Sequence, residues 1–195
     1  MYNFKNLNKL KMVSSREIIL KINKVIILIK EVSIIFIFAF LTGIGARFKI
    51  EIGLVPITMQ TIPVLLSGAL LGSKKGASSQ FLYLLLGLSG VPWFSKGGGF
   101  FYIFSPTFGY IIGFVICSYT VGFLFEKGFN RKYWKIFFAV IIGNLLIYIP
   151  GLLWLIKFVG IKNVLKYGFY PFIFGDLIKS ILVTGILIIK GDRIR

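Results

Sequence analysis

One acidic residue lies well inside an apolar segment of the sequence. Asp176 is followed three positions later by Lys179, and this spacing places two side chains on the same face of a helix. At the centre of a membrane-crossing helix, each such charge costs about 2.5 to 3.5 kcal/mol, so ionisable groups there usually face the protein interior and mark a site. The pair offers a hydrogen-bond acceptor beside a donor, as a polar ligand requires. A purely structural ion pair is the alternative.

Other polar residues are expected to converge on this pair. Asn144 and Tyr148 lie four positions apart in a second apolar segment and therefore share a helix face. Gln60 lies near one end of a third segment, and Lys96 precedes a glycine triplet in an aromatic loop. For Asn144 an interhelical hydrogen bond is an equally good explanation. The predicted substrate-binding residues are Asp176, Lys179, Tyr148, Gln60, Asn144 and Lys96.

The composition indicates that these residues belong to a membrane protein. Of the 195 residues, 57% are hydrophobic and only 15% are charged, whereas soluble domains carry about 25% charged residues. The apolar residues come in blocks long enough to cross about 30 Å of hydrocarbon. We therefore predict an all-α membrane protein built as a bundle of six transmembrane helices. The predicted spans are 25–48, 57–72, 76–93, 105–125, 134–156 and 169–189.

The basic residues predict how this bundle is oriented. With the N-terminus in the cytoplasm, sixteen Lys and Arg residues fall on the inner side and six on the outer side, while Lys179 lies within the last span. The positive-inside rule favours that arrangement, with both termini cytoplasmic. It puts Asp176, Tyr148, Gln60 and Lys96 in the outer half of the bundle. Residues 24–195 form the predicted transmembrane domain, and 1–23 form a basic extension, either an interfacial helix or a solvated tail.

Several classes of function are disfavoured by what the sequence lacks. It contains no histidine and a single cysteine, Cys117, so histidine-based metal or catalytic sites and an internal disulfide are excluded. The segment 68–76 lacks the spacing of a phosphate-binding Walker A loop. One buried acid without a second argues against acid–base hydrolysis. We expect no cofactor, no metal, no enzymatic activity and, despite the net charge of +17, no nucleic-acid binding.

Small residues form a stripe along the first span. Ala39, Gly43 and Ala46 would let another helix approach closely. Contact with a partner subunit is one prediction from this stripe, and tight packing within the same chain is the other.

Short sequence elements, in order along the chain, resemble those of the BioY family. The elements are VPITMQT (55–61), GALLGSKKG (68–76), LYLLLGLSGVPWF (82–94), SPTFGYIIGF (105–114) and GDLIK (175–179). Each is weak alone, but together they are specific, and the similarity runs from about Ala39 to Lys190, some three quarters of the sequence.

The resemblance implies a six-helix S component of an energy-coupling-factor transporter in the cytoplasmic (inner) membrane. Such a protein binds biotin at its outer face and docks on a transmembrane T subunit (EcfT or BioN type) that carries two ABC-type ATPases. It implies that Asp176 accepts the ureido N–H groups, with Lys179 beside it. Tyr148 and Gln60 would line the pocket, and Lys96, if its loop folds inward, would pair with the carboxylate. The alternatives are an S component for thiamine or riboflavin, or a membrane-embedded lipid-modifying enzyme.

Overall fold

The computed structural model describes the backbone of residues 4–192 and the side chains of residues 20–191. Contacts divide the chain into two units, Met1–Ile34 and Ile35–Arg195. The helices are α1 (Phe4–Gly45), α2 (Thr61–Leu71), α3 (Ser73–Leu88), α4 (Phe108–Glu126), α5 (Tyr133–Val159), α6 (Val164–Gly168) and α7 (Ile173–Asp192). Short 3₁₀ turns cover Phe100–Phe104 and Phe129–Arg131. The strands β1 (Lys49–Ile50) and β2 (Ile57–Thr58) pair antiparallel, with Lys49 opposite Thr58.

The described part of the first unit is the earlier part of α1. From Leu20 onward nearly all of its described side chains are exposed, and most of them are large and apolar. An apolar exposed surface of this kind suits a lipid environment. The interfacial helix predicted within 1–23 falls mainly on residues whose side chains lie outside the described range, so it stays a prediction.

Four segments of the described chain are long and apolar enough to cross a membrane: Leu20–Gly45, Phe108–Glu126, Tyr133–Val159 and Val164–Gly191. The predicted second and third spans correspond to shorter helices, because α2 has 11 residues and α3 has 16. At 1.5 Å per residue α2 rises only about 16 Å, roughly half of the hydrocarbon thickness. The protein is thus a helical membrane protein in which α2 is too short to cross alone.

Helix α4 lies at the centre of the second unit and packs closely against its neighbours. A Cβ atom on Gly122 would lie 2.3 Å from the backbone nitrogen of Ser73 at the start of α3. Near the other end of α4, a Cβ on Gly109 would lie 2.4 Å from the carbonyl oxygen of Pro150 in α5. Glycine is required at both positions because only an absent side chain allows such an approach.

The ends of the second unit differ in structure. We call the end that carries β1, β2 and the loop between α3 and α4 the hairpin end. The opposite end carries the turn between α2 and α3, the connection between α4 and α5, and the last turn of α7. Because α2 is short, residues 46–60 fold into the space at the hairpin end that a longer helix would fill. Non-helical backbone at this level must bond to protein atoms, and Met59 N–H does so by donating to the carbonyls of Gly45 and Phe48.

Candidate functional site

A cavity of about 540 Å³ lies at the hairpin end and is enclosed by α2, α4, α5, α7 and the two loops. This volume includes the space at the open side of the cavity. Its lining is largely apolar and aromatic, with a few polar groups. The lining residues are Val55, Pro56, Thr58, Gln60, Thr61, Ser95, Tyr102, Thr107, Tyr110, Ile111, Phe114, Ile147, Tyr148, Phe172, Asp176 and Lys179.

The carboxylate of Asp176 is the centre of the polar wall. Its Oδ1 accepts a hydrogen bond from Lys179 Nζ at 2.8 Å, and its Oδ2 accepts one from the Tyr148 hydroxyl. Lys179 Nζ also donates to the carbonyl oxygen of Thr58 at 2.9 Å, so the pair ties α7 to β2. Asp176, Lys179 and Tyr148 are all less than 10% exposed. The ion pair is therefore buried, and each charge has partners, as burial of a charge requires.

The wall retains hydrogen-bonding capacity after these contacts. An ionised carboxylate has about four acceptor positions, and neighbouring protein groups occupy two of those on Asp176. The ammonium of Lys179 has three donors and uses two. A ligand could therefore donate to Asp176 and accept from Lys179 while the ion pair stays intact.

Gln60 lines the same cavity, but its amide is already engaged. Its Nε2 donates to the hydroxyl of Tyr83 at 2.6 Å, and its Oε1 accepts from Thr58 Oγ1 at 3.0 Å. The hydroxyl of Tyr83, which is fully buried, donates in turn to the carbonyl of Trp93 at 3.2 Å. Gln60 thus connects the loop between α1 and α2 to α3 and orients the cavity wall.

Two of the predicted site residues do not line this cavity. Asn144 lies behind the wall, where its Nδ2 donates to Ser180 Oγ at 2.9 Å and to the carbonyl of Asp176 at 3.4 Å. Lys96 is exposed, and its Nζ donates to the carbonyl of Leu54 at 3.0 Å. The structure therefore brings four of the six residues together, with Asn144 bracing α7 from outside.

The comparisons with known proteins show the family to which this chain belongs. Residues 12–193 match the BioY family. The chain belongs to the BioY family. It is 39% identical over 152 residues, covering 77% of this chain and 90% of the relative, to a probable biotin transporter BioY of Pyrococcus horikoshii. It is 35% identical over 150 residues, covering 76% and 88%, to the biotin transporter BioY of Thermotoga maritima.

A solved structure is similar as well. It is a crystal structure at 2.1 Å of the S-component for biotin from an ECF-type ABC transporter. The TM-score is 0.73 at 27% sequence identity, and the match covers 82% of this chain and 89% of that one. The likeness thus extends over nearly the whole of the related fold.

A second polar group in this BioY-family cavity was missed by the sequence reasoning. The hydroxyls of Ser95 and Tyr102 are 3.1 Å apart, and that of Tyr102 is 2.8 Å from Thr107 Oγ1. All three residues line the cavity and are buried. Hydroxyl residues in a loop are too common to stand out in one sequence. The nearest available signal was their position on either side of the glycine triplet.

Hydrogen bonds from basic side chains to backbone carbonyls join the two loops that cover the cavity. Lys49 Nζ donates to the carbonyl of Ser95 at 2.8 Å, and Lys96 Nζ donates to that of Leu54 in the other direction. Arg47 also donates to the carbonyl of Pro92. The cations on these loops therefore hold the cover in place.

The small residues of the first span are buried within this chain. Ala39 and Ala46 have no exposed surface, and a Cβ on Gly43 would lie 3.1 Å from the side chain of Trp93. Tight packing within the chain, the second of the two explanations, describes this conformation. Contact with a partner subunit stays a prediction.

Proposed function

We propose that this protein captures biotin at its hairpin end and serves as the high-affinity S component of an ECF-type ABC transporter in the cytoplasmic (inner) membrane. One observation carries the proposal: in a chain of the BioY family, a buried Asp176–Lys179 pair forms the polar wall of a largely apolar cavity. Such a wall suits a compact polar ring attached to an apolar body.

Biotin matches the hydrogen-bonding capacity of this wall. Its ureido ring has two N–H donors flanking one carbonyl acceptor. Asp176 supplies free acceptor positions and Lys179 a free donor, and Tyr148 holds the carboxylate in place. The aromatic rings of Tyr110 and Phe172 provide an apolar surface for the rest of the bicycle. Thiamine, which carries a permanent positive charge, would place that charge beside Lys179, and this argues against it.

We propose that the carboxylate of the biotin side chain meets the hydroxyls of Ser95, Tyr102 and Thr107. Three hydroxyls that already bond to one another can turn their protons towards an anion. In this conformation Lys96 Nζ donates a hydrogen bond to the Leu54 carbonyl in the loop that covers the cavity. It would reach the biotin carboxylate only after its own loop folds inward.

The same proposal includes six membrane crossings, with both termini in the cytoplasm and the hairpin end outside. Energy would come from partners, namely a T subunit of the EcfT or BioN type and its ATPases. The surface around Ala39, Gly43 and Ala46 is the proposed contact with the T subunit once α1 shifts to expose it. In this proposal the chain binds and delivers its ligand and catalyses no reaction.

Equilibrium binding of radiolabelled biotin to the purified protein tests the proposal. We expect tight binding that Asp176→Asn and Lys179→Ala each weaken by at least tenfold. Lys162→Ala, which removes an exposed charge, is the control and should bind as the wild type does. Binding retained by both cavity variants, or displacement of biotin by excess thiamine or riboflavin, would contradict it.

A further inference from the structure

A second cavity, at the opposite end, is a groove of about 1,520 Å³ including its open side. It lies between the end of α2, the connection between α4 and α5, and the last turns of α7. The biotin proposal makes no use of it. The lining residues are Ala69, Leu70, Phe125, Glu126, Gly128, Asn130, Arg131, Tyr133, Ile136, Leu187, Ile188, Lys190 and Gly191.

The lining of the groove has an apolar floor and a basic rim. Leu70, Ile136 and Leu187 belong to the floor, and the last two are buried. Arg131 and Lys190 lie on the rim and are exposed. An occupant that covers both regions needs an apolar chain joined to a negative group.

The electrostatic environment of the rim is positive. Lys127 and Lys132 flank the same connection and are exposed. Glu126 is the one acid among the described residues that line the groove. Its carboxylate is held by Ser73, whose backbone N–H donates at 2.7 Å and whose hydroxyl donates at 3.0 Å. The carboxylate of Glu126 is therefore hydrogen-bonded to the turn between α2 and α3, and the basic residues of the rim outnumber this one acid.

The groove also lies at the level where lipid headgroups are found. Three candidate membrane spans, α4, α5 and α7, end at or begin from it. The exposed rings of Tyr133 and Trp134 at the start of α5 are typical of a membrane–water interface. Basic pockets between helix ends at such an interface suit anionic headgroups.

We infer that this groove binds an anionic phospholipid, with the phosphate at Arg131 and Lys190 and one acyl chain along the apolar floor. A soluble anion would leave the floor uncovered, and a zwitterionic lipid would bring its own cation to a basic rim. The guanidinium of Arg131 has five N–H donors, so it can contact a phosphate beside its existing partner.

Binding of a fluorescent phosphatidylglycerol to the full-length protein in neutral detergent tests this inference. The comparison probe is phosphatidylcholine with the same acyl chains. We expect phosphatidylglycerol to be preferred by at least tenfold. In the double variant Arg131→Gln/Lys190→Gln its affinity should fall about 25-fold, at about fivefold per basic side chain near a lipid phosphate. Ala69→Leu, which adds bulk to the floor, should weaken binding with all charges retained.

The control is Lys162→Gln/Lys166→Gln, which removes the same charge at the hairpin end and should bind phosphatidylglycerol as the wild type does. The unfolding midpoint of each variant shows that it is folded. Equal affinity for both lipids, or an equal loss in the control, would overturn the inference in favour of diffuse surface charge. Displacement of the probe by glycerol phosphate alone would overturn it in favour of a soluble-anion site. Retained binding by the Arg131/Lys190 variant would remove the groove as the site.

Discussion

Single and double variants of Asp176 and Lys179 can separate the contribution of this ion pair to stability from its role in binding. Lys179→Met would leave the Asp176 carboxylate buried with only Tyr148 as a side-chain donor. Asp176→Asn would leave the Lys179 ammonium without a counter-charge, with the Thr58 carbonyl and the neutral amide oxygen as its acceptors. Removing one partner of a buried pair typically costs about 3 to 5 kcal/mol. Because each remaining charge keeps at least one hydrogen bond, we expect about 3 kcal/mol for each single variant.

The double variant Asp176→Asn/Lys179→Met should be far less unstable than the sum of the two single variants. It leaves no unpaired charge, so the free energy of unfolding should fall by about 3 to 4 kcal/mol rather than about 6. The corresponding coupling energy is about 2 to 3 kcal/mol, the upper part of the range for residues in direct contact. Reversible unfolding in mixed detergent micelles would measure all four proteins.

Biotin binding by the same four proteins decides between the two roles of the pair. If the pair contacts the ligand, the double variant is about as stable as either single variant but still fails to bind biotin. If the pair only holds α7 to the loop, the double variant binds as the wild type does. Additive effects on stability would refute the interpretation of the contact as a coupled buried ion pair. Wild-type binding by the double variant would refute the site assignment.

Three further outcomes follow from the packing. Gly122→Ala should cost about 2 to 3 kcal/mol of unfolding free energy because its Cβ would meet backbone, whereas Gly185→Ala has open space and should be neutral or slightly stabilising. Gln80→Met should cost only about 1 kcal/mol because the hydroxyls bonded to this fully buried amide keep backbone acceptors. In the proposed orientation, Ser89→Cys should react with a membrane-impermeant maleimide added outside intact cells, and Lys74→Cys should not. The native Cys117 is buried and should not react in either protein.

A specific result would contradict each of these three predictions. Equal unfolding free energies for the two alanine variants would show that α4 does not approach α3 as closely as described. A loss above about 3 kcal/mol in the glutamine variant would mean that its hydroxyl partners depend on the amide. Labelling of the Lys74→Cys protein from outside would reverse the proposed orientation.

The central part of the site could be predicted from local spacing alone. Asp176 and Lys179 are three apart in an apolar segment, and helix geometry then puts them side by side, as the structure has them. Tyr148 could be placed near them because an isolated polar residue in a membrane helix tends to face the interior. These inferences need only helical periodicity and the cost of burying charge.

Residues in loops could not be placed in this way. The side chain of Lys96 is exposed and donates to the Leu54 carbonyl, whereas the hydroxyls of Tyr102 and Thr107 lie beside the cavity. Loop conformation depends on backbone contacts with distant segments, which carry no periodic signal. For the same reason the network around Gln80, which joins α1, α2 and α3, was not foreseen.

The fold was predicted best where a helix is long and uniformly apolar. The span expected at 134–156 is the helix Tyr133–Val159, although Pro150 lies within it. The span expected at 57–72 is only Thr61–Leu71, because the residues before it form β2 and the cavity wall. Hydropathy reports that a residue is apolar, and it does not distinguish a helix from a buried loop of the same composition.

The half-length α2 has a consequence for how a chain of this architecture acquires a new cargo. The stretch before it presents the Thr58 carbonyl and the Gln60 side chain to the cavity, and this stretch is a loop, which tolerates insertion, deletion and rewriting far better than a helix in the bilayer does. This part of the cavity wall can therefore change without a change in the membrane-crossing helices, while Asp176, Lys179 and Tyr148 stay on those helices.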